Sequence, residues 1–269
     1  MFKIFKKIIN KLRPLKPLYV AYDSGGNDKP TIILLHGIAA TSSTWEPIIN
    51  GINVNDYRVI ALDLLGFGLS PKPIDCEYSV NDHVAYVRKT IKKLKIRKPY
   101  RIVGHSMGSI IAAKYCLYYP SEIETAFLLS PPIYISGDET QTAIARRQTD
   151  FFLIVYNFIA QKKNFTITYS QHLRNLLRLK SGMEVNEENW NSFRLSLNNT
   201  IIHQDTYQDI VMIKKPVKII YGSMDEFLVQ ESINNLVKLN HVTVTRLLAT
   251  DHSVTGRFAK EAIAQITAN

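Results

Sequence analysis

Five short apolar runs limit most tightly how this chain can fold: TIILLHG (31–37), YRVIALDL (57–64), YRIVGHS (100–106), TAFLLS (125–130) and VKIIYG (217–222). Each is rich in Ile, Val and Leu and lacks the polar alternation of a half-exposed strand. Such runs suit strands covered on both faces, as in a parallel sheet. Helix-length segments, including 81–94 and 107–118, separate most of them, and strand-helix alternation calls for helices on both sides of the sheet. LYVAYDSGG (18–26) reads as an early strand closed by a Gly-Gly turn, VTVTRLLA (242–249) as a last strand, and VTGRFAKEAIAQI as a closing helix.

The alternation breaks after Pro131-Pro132. Residues 133–204 read mostly as helix, with clusters such as DFFLIVYNFIA and QHLRNLLRLK. The expected organisation is an α/β core of 18–132 and 205–269, interrupted by a helical cap at 133–204. At 269 residues the chain is long enough to bury a sizeable core. Its two cysteines, Cys76 and Cys116, are too few for a disulfide framework and lack metal-ligand spacing. They are expected to be reduced and packed, in a cytoplasmic protein.

The formal charge of +10 asks for an explanation. No zinc-finger, RNP or helix-turn-helix signature accompanies it, so nucleic acid is not the expected partner. Six basic residues and no acid lie in the opening MFKIFKKIINKLRPLKP. Its apolar positions are too broken for a secretory signal and too few for a bilayer span, which takes about 20 apolar residues. On a helical wheel Phe2, Ile4, Phe5, Ile8, Ile9 and Leu12 fill one side, opposite the basic residues, and Pro14 ends the helix. Residues 1–13 are therefore expected either to lie in an anionic membrane surface at the inner face or to pack on the protein's own body.

The junction Gly104-His105-Ser106-Met107-Gly108 joins a strand directly to a helix. Gly-x-Ser-x-Gly in that setting is the nucleophile elbow. The serine needs a strained backbone to stand clear of the sheet, and the glycines remove Cβ atoms that would clash. Ser106 then requires a base, and the base a carboxylate to hold its tautomer. His252 follows the last strand, where a loop reaches over the sheet's carboxyl edge. His105 is expected to point away from the serine and His36 to support its loop, with packing or surface roles for His83, His172, His203 and His241. Asp225 in YGSMDEF follows strand 217–222, giving the order Ser106, Asp225, His252. Glu226 is expected to face away, and Asp251 adjoins the histidine too closely to orient it. Backbone N–H groups of Met107 and Ile38 are the candidate oxyanion donors. Aromatic residues of 133–204, chiefly Phe152, Tyr156 and Trp190, are candidates for an apolar pocket.

With His36-Gly37, Trp45, DLLGFGLS, the elbow, YGSMD and DHS placed in this order, the chain resembles the α/β-hydrolase fold superfamily. The likeness runs through nearly everything after residue 18, and the branch is that of capped, epoxide-hydrolase-like and meta-cleavage-hydrolase-like sequences. The resemblance implies an eight-stranded type of mostly parallel sheet with the cap after the sixth strand. It also implies cleavage of a carboxylic ester or related acyl compound through an acyl-enzyme, without cofactor or metal; Gly66-x-Gly68 belongs to the family motif rather than to a dinucleotide site. Two departures count. Epoxide hydrolases and haloalkane dehalogenases use an Asp nucleophile, so Ser106 disfavours those reactions, and Asp251 stands where relatives often have glycine. Hydrolysis of a carbon–carbon bond in a diketone-like substrate uses the same residues and stays open. A non-catalytic binding protein on this fold is a third reading, against which the intact Ser-Asp-His set argues.

Overall fold

The computed structural model describes residues 15–135, 142–176 and 185–268. The basic segment 1–13 therefore lies outside the described residues, as do 136–141 and 177–184 within the expected cap.

Seven strands form one sheet: β1 (Val20–Asp23), β2 (Thr31–Leu35), β3 (Arg58–Leu62), β4 (Tyr100–His105), β5 (Ile123–Leu129), β6 (Val217–Gly222) and β7 (Val242–Leu247). Their spatial order is β1-β3-β2-β4-β5-β6-β7. Only β1 runs antiparallel to its neighbour; the other pairings are parallel. Two implications of the resemblance are corrected here. The described sheet has seven strands rather than eight, and the helical segment departs after the fifth rather than the sixth. The physical reason is that each strand corresponds to one apolar or alternating run, and the described sequence offers seven.

Burial on both faces follows from the pleat. In β2, Ile33 and Leu35 face one core while Ile32 and Leu34 face the other, all inaccessible to solvent. Nine helices lie among the described residues. α1 (Glu46–Ile49) and α9 (Gly256–Thr267) pack together over the second face, contributing Ile48, Phe258, Ala262 and Ile266. On the first face α2 (Val80–Lys93) opens on a capping box, with Ser79 and Asp82 exchanging side-chain-to-backbone hydrogen bonds, and ends on Lys92 and Lys93 beside its negative terminus. α3 (Met107–Tyr118) is apolar nearly all round because it lies against β4 and β5 beneath α2 and α7 (Thr206–Met212). Between β5 and β6 also run α4 (Ala143–Gln161), α5 (Lys163–Leu176) and α6 (Trp190–Ser196), the last continuing into a π-helical turn at Leu197–Ile202. α8 (Gln230–Leu236) links β6 to β7.

A polar cluster fastens the lower end of the elbow strand. Tyr100 of β4 and Tyr115 of α3 both donate to the Glu122 carboxylate, at 2.9 and 2.8 Å, and Lys98 lies 2.6 Å from it. Burial works to raise the Glu122 pKa, but Lys98 and the two phenols outweigh it and hold the group at about 2. Both cysteines are free thiols, and burial pushes each up to about 12, which keeps them protonated and unreactive.

Three fully buried histidines give the fold a predictable acid sensitivity. Burial lowers His36 to about 4 and His83 and His105 to about 3. Because these folded-state values lie below the ordinary 6.5, the unfolded chain takes up protons first on acidification. Their stabilising contribution is complete above about pH 7 and is lost as pH falls through 6.5 towards 4, at roughly 2 kcal/mol per histidine by pH 5. Urea unfolding at pH 7.5 and pH 5 should show a drop of several kcal/mol, and His83→Asn should shrink that drop by about a third. Equal stability at the two pH values would contradict the buried, neutral state of these rings.

Candidate active site

Ser106 sits between β4 and α3 with φ +53° and ψ −122°, a conformation that ordinary side chains rarely adopt. Its surroundings explain the flanking glycines. A Cβ on Gly104 would lie 2.2 Å from the Gly108 carbonyl oxygen, and one on Gly108 would lie 2.1 Å from that of Leu35. The helix thus crosses the strands at backbone contact, and no larger residue fits at either point. The strained turn is held by Ser106 N–H donating to Leu129 O at 2.9 Å, and by the Ser109 hydroxyl donating to Gly104 O at 2.7 Å.

Across the sheet's carboxyl edge, Asp225 and His252 meet. The Asp225 carboxylate accepts from His252 Nδ1, whose distances to the two oxygens are 2.8 and 2.9 Å, and both residues are buried. Burial opposes the carboxylate's charge, but His252 and the Phe227 N–H outweigh it and keep the Asp225 pKa below the usual range. A Cβ on Gly222 would lie 2.2 Å from Thr250 O, so the end of β6 touches the loop that carries His252. Glu226 is exposed, and Asp251 accepts from Ser253 N–H at 2.9 Å in a local turn.

The other histidines have structural partners. His36 Nδ1–H donates to Gly37 O at 2.7 Å while its Nε2 accepts from Leu64 N–H at 2.8 Å, tying the loop after β2 to the loop after β3. His105 turns to the far loop, where its Nε2–H donates to the His252 carbonyl at 2.9 Å. His83 pairs with Ser196, and His241 donates to Ile210 O. His203 contacts Asn198 O, and the side chain of His172 lies outside the described residues.

Ser106 and His252 line the same cleft, of about 770 Å³ including its open mouth, together with Gly37, Ile38 and Phe227. A Cβ on Gly37 would lie 3.1 Å from Ser106 Cβ, so the loop bearing the Ile38 amide presses directly on the serine. Met107 is the first residue of α3, where the N–H groups of a helix have no intrahelical acceptor. Apart from His105 and the Tyr156 hydroxyl, the rest of the lining is apolar and comes largely from the helical segment, with Ile159, Phe193, Leu197 and Ile201.

Of the three expected pocket aromatics, Tyr156 lines this cleft; Phe152 and Trp190 are not among its lining residues. Phe152 stacks on Tyr134 with centroids 5.5 Å apart, and Trp190 packs on Phe193 at 5.9 Å. The residues sequence reasoning missed, Phe193, Leu197 and Ile201, repeat every fourth position. That apolar row in FRLSLNNTI was the available signal. Asp63, the first residue of DLLGFGLS, ties two loops together. Its buried carboxylate accepts from Ser42 N–H and Oγ–H and from Leu69 N–H, at 2.9, 2.5 and 2.9 Å. Among the described residues no group of three His, Cys, Asp or Glu side chains is arranged to hold a metal ion, and no helix is long and apolar enough to cross a membrane.

Residues 30–255 match the profile of the alpha/beta hydrolase fold family. The probable lysophospholipase BODYGUARD 4 of Arabidopsis thaliana is 36% identical over 109 residues, covering 40% of this chain and 26% of that protein. The monoacylglycerol lipase ABHD6 of Homo sapiens is 30% identical over 105 residues, covering 38% of this chain and 31% of that protein. The chain thus spans between a quarter and a third of the length of these two curated relatives. Among solved structures, MenH from S. aureus superposes with a TM-score of 0.72 at 20% identity, over 94% of this chain and 97% of that one, a likeness of fold. The profile match, with the elbow and the parallel sheet that carries it, leads to one conclusion: the chain belongs to the alpha/beta hydrolase fold family.

Proposed function

We propose that this chain is a serine hydrolase that cleaves a carboxylic ester or related acyl substrate through an acyl-enzyme. One observation carries the reading: the strained Ser106 and the Asp225-paired His252 open into one apolar cleft. In this reading His252 Nε2 removes the Ser106 proton as Oγ attacks the ester carbonyl, and the proton passes to the leaving alcohol. Water then repeats the sequence on the acyl-enzyme, releasing the acid and restoring Ser106. Asp225 fixes the Nδ1–H tautomer and stabilises the imidazolium that forms. The Ile38 and Met107 amides would bind the oxyanion, each worth about 3 kcal/mol of barrier.

The helical segment within 133–204 acts in this proposal as a cap, supplying the aliphatic wall that receives an acyl chain. Ile159, Phe193, Leu197 and Ile201 support that role. The relatives named a probable lysophospholipase and a monoacylglycerol lipase also fit an acyl-lipid substrate. A fluorophosphonate should label Ser106, and Ser106→Ala should abolish both labelling and hydrolysis of p-nitrophenyl esters. Asp225→Asn should lower kcat by about 10³- to 10⁴-fold by favouring the wrong tautomer. Labelling at another serine, or a near-normal rate in Asp225→Asn, would refute the assignment.

A lipid substrate would be met at a surface, and we propose that residues 1–13 attach the protein to anionic membranes. Their basic and apolar residues separate cleanly, and each basic residue near such a surface contributes about 1 kcal/mol. The described residues add a second apolar surface: Ile144, Phe151, Ile154 and Phe158 are exposed along one side of α4, beside the basic Arg147. The overall charge of +10 complements an anionic surface. Cosedimentation with anionic vesicles at low salt should be strong, weaken with salt, and decline on deletion of residues 2–13. Binding unaffected by that deletion would instead place residues 1–13 on the protein's own body.

A further inference from the structure

The cleft has four polar side chains on its wall: His105, Ser106, Tyr156 and His252. Ser106 and His252 are assigned above to the chemistry, and the Nε2–H of His105 is spent on the His252 carbonyl. Tyr156 remains, and its hydrogen-bond polarity can be worked out from its neighbours. The Tyr134 hydroxyl donates to Phe227 O at 2.8 Å, and a carbonyl can only accept. That bond uses the one proton of Tyr134. The 2.9 Å contact between the Tyr134 and Tyr156 hydroxyls must therefore be filled by the proton of Tyr156. With its proton committed, the Tyr156 hydroxyl has only acceptor capacity left to offer the cleft.

The position of this oxygen matters as much as its polarity. The Tyr134 hydroxyl that receives its proton is bound to Phe227, two residues after Asp225, and the Phe227 ring lies 4.8 Å from that of His252. The phenol end is thus one hydrogen-bonded hydroxyl away from the backbone of Phe227, a residue that lines the cleft with His252. An acceptor in an otherwise apolar wall is costly when it faces a substrate with nothing to donate, and it is satisfied by a substrate hydroxyl. The wider cleft sets apolar bulk; this oxygen sets one polar requirement.

We propose that Tyr156 is a specificity-determining residue whose hydroxyl accepts a hydrogen bond from a free hydroxyl on the substrate, near the scissile ester. The class selected is a partial ester of a polyol or a hydroxyacyl ester, in preference to a simple alkyl ester. This rests on the ester-hydrolase reading above.

The test uses isosteric pairs on the full-length protein. 2-Hydroxyethyl butyrate against propyl butyrate places the hydroxyl on the leaving alcohol. Ethyl 3-hydroxybutyrate against ethyl 3-methylbutyrate places it on the acyl side. In Tyr156→Phe the kcat/KM ratio of hydroxyl to alkyl ester should fall roughly 2- to 13-fold in at least one pair, the factor for loss of one neutral hydrogen bond. The pair that responds tells which side of the ester carries the donor. Equal losses on both members of both pairs would mean that Tyr156 only shapes the cleft, and would overturn the proposal. Tyr134→Phe gives the converse: it frees the Tyr156 proton, so esters carrying an acceptor, such as acetonyl butyrate, should gain relative to 2-hydroxyethyl butyrate. A ratio unmoved by Tyr134→Phe would overturn the polarity argument. Binding of 2-hexyloxyethanol against hexyl propyl ether to the Ser106→Ala protein, by calorimetry, reads the same contact without turnover. If the esters are not cleaved at all the hydrolase reading falls, while this binding ratio, lowered or unchanged by adding Tyr156→Phe, still decides for or against the acceptor.

Discussion

The site depends on a backbone crossing. Where α3 leaves β4 it passes over the end of β2 so closely that a single methyl group on Gly108 would overlap the Leu35 and His36 carbonyls. That approach sets everything nearby. It forces Ser106 into its positive-φ conformation, aims the first amides of α3 at the space above the sheet, and brings Gly37 against the serine. The strain of such a turn costs on the order of 1–3 kcal/mol. It is offset by the Leu129 and Gly104 hydrogen bonds and by the burial of α3 on nearly every side.

Around this crossing, short polar braces fix loops that the sheet alone would leave free. His36, neutral and buried, links the loops after β2 and β3 through one donated and one accepted hydrogen bond. Asp63 binds the same two loops from its side, holding Ser42 and Leu69. The loop carrying the Ile38 amide is therefore held to the loop after β3 at two places, through His36 and through Asp63. His105 performs the equivalent service for the far loop by donating to the backbone of His252. His36 and Asp63 have partners at both of their side-chain polar atoms, the condition under which buried polar groups rigidify a core rather than weaken it.

Much of this was legible in the chain. Seven runs with strand character became seven strands: the five central ones because a run apolar on both pleat faces has few other places to go, and β1 and β7 as partly exposed edges. The eighth strand had no run behind it; it came from the resemblance alone. That Ser106, Asp225 and His252 would come to one edge was readable because each follows a strand, and strand ends of a parallel sheet converge there. The cleft wall was less readable. Phe152 and Tyr156 lie one turn apart on one side of α4, yet Phe152 is spent stacking on Tyr134, a partner 18 residues away. Phe193, Leu197 and Ile201 form an apolar row that periodicity reveals, but helix phase alone does not say what an apolar face meets. The acceptor character of Tyr156 depends on three residues spread from 134 to 227, a relation no local pattern encodes.

The parallel order of β4, β5, β6 and β7 has a consequence in time. The elbow is built from β4 and α3, which adjoin in sequence, and from β2, reached by one crossover. The Asp225–His252 pair closes when β6 and β7 pair with each other, but it joins Ser106 only when β6 has docked on β5 across the whole helical excursion. Contacts of such long sequence separation close late, because the chain entropy of the intervening segment must be lost first. β7 is also the edge of the sheet, with one neighbour instead of two. The histidine-bearing loop therefore belongs to the part of the molecule that assembles last and opens first. A refolding population would regain its helix signal and its buried tyrosines before this pair reached the serine, and a partly opened molecule would keep an intact elbow with no histidine beside it.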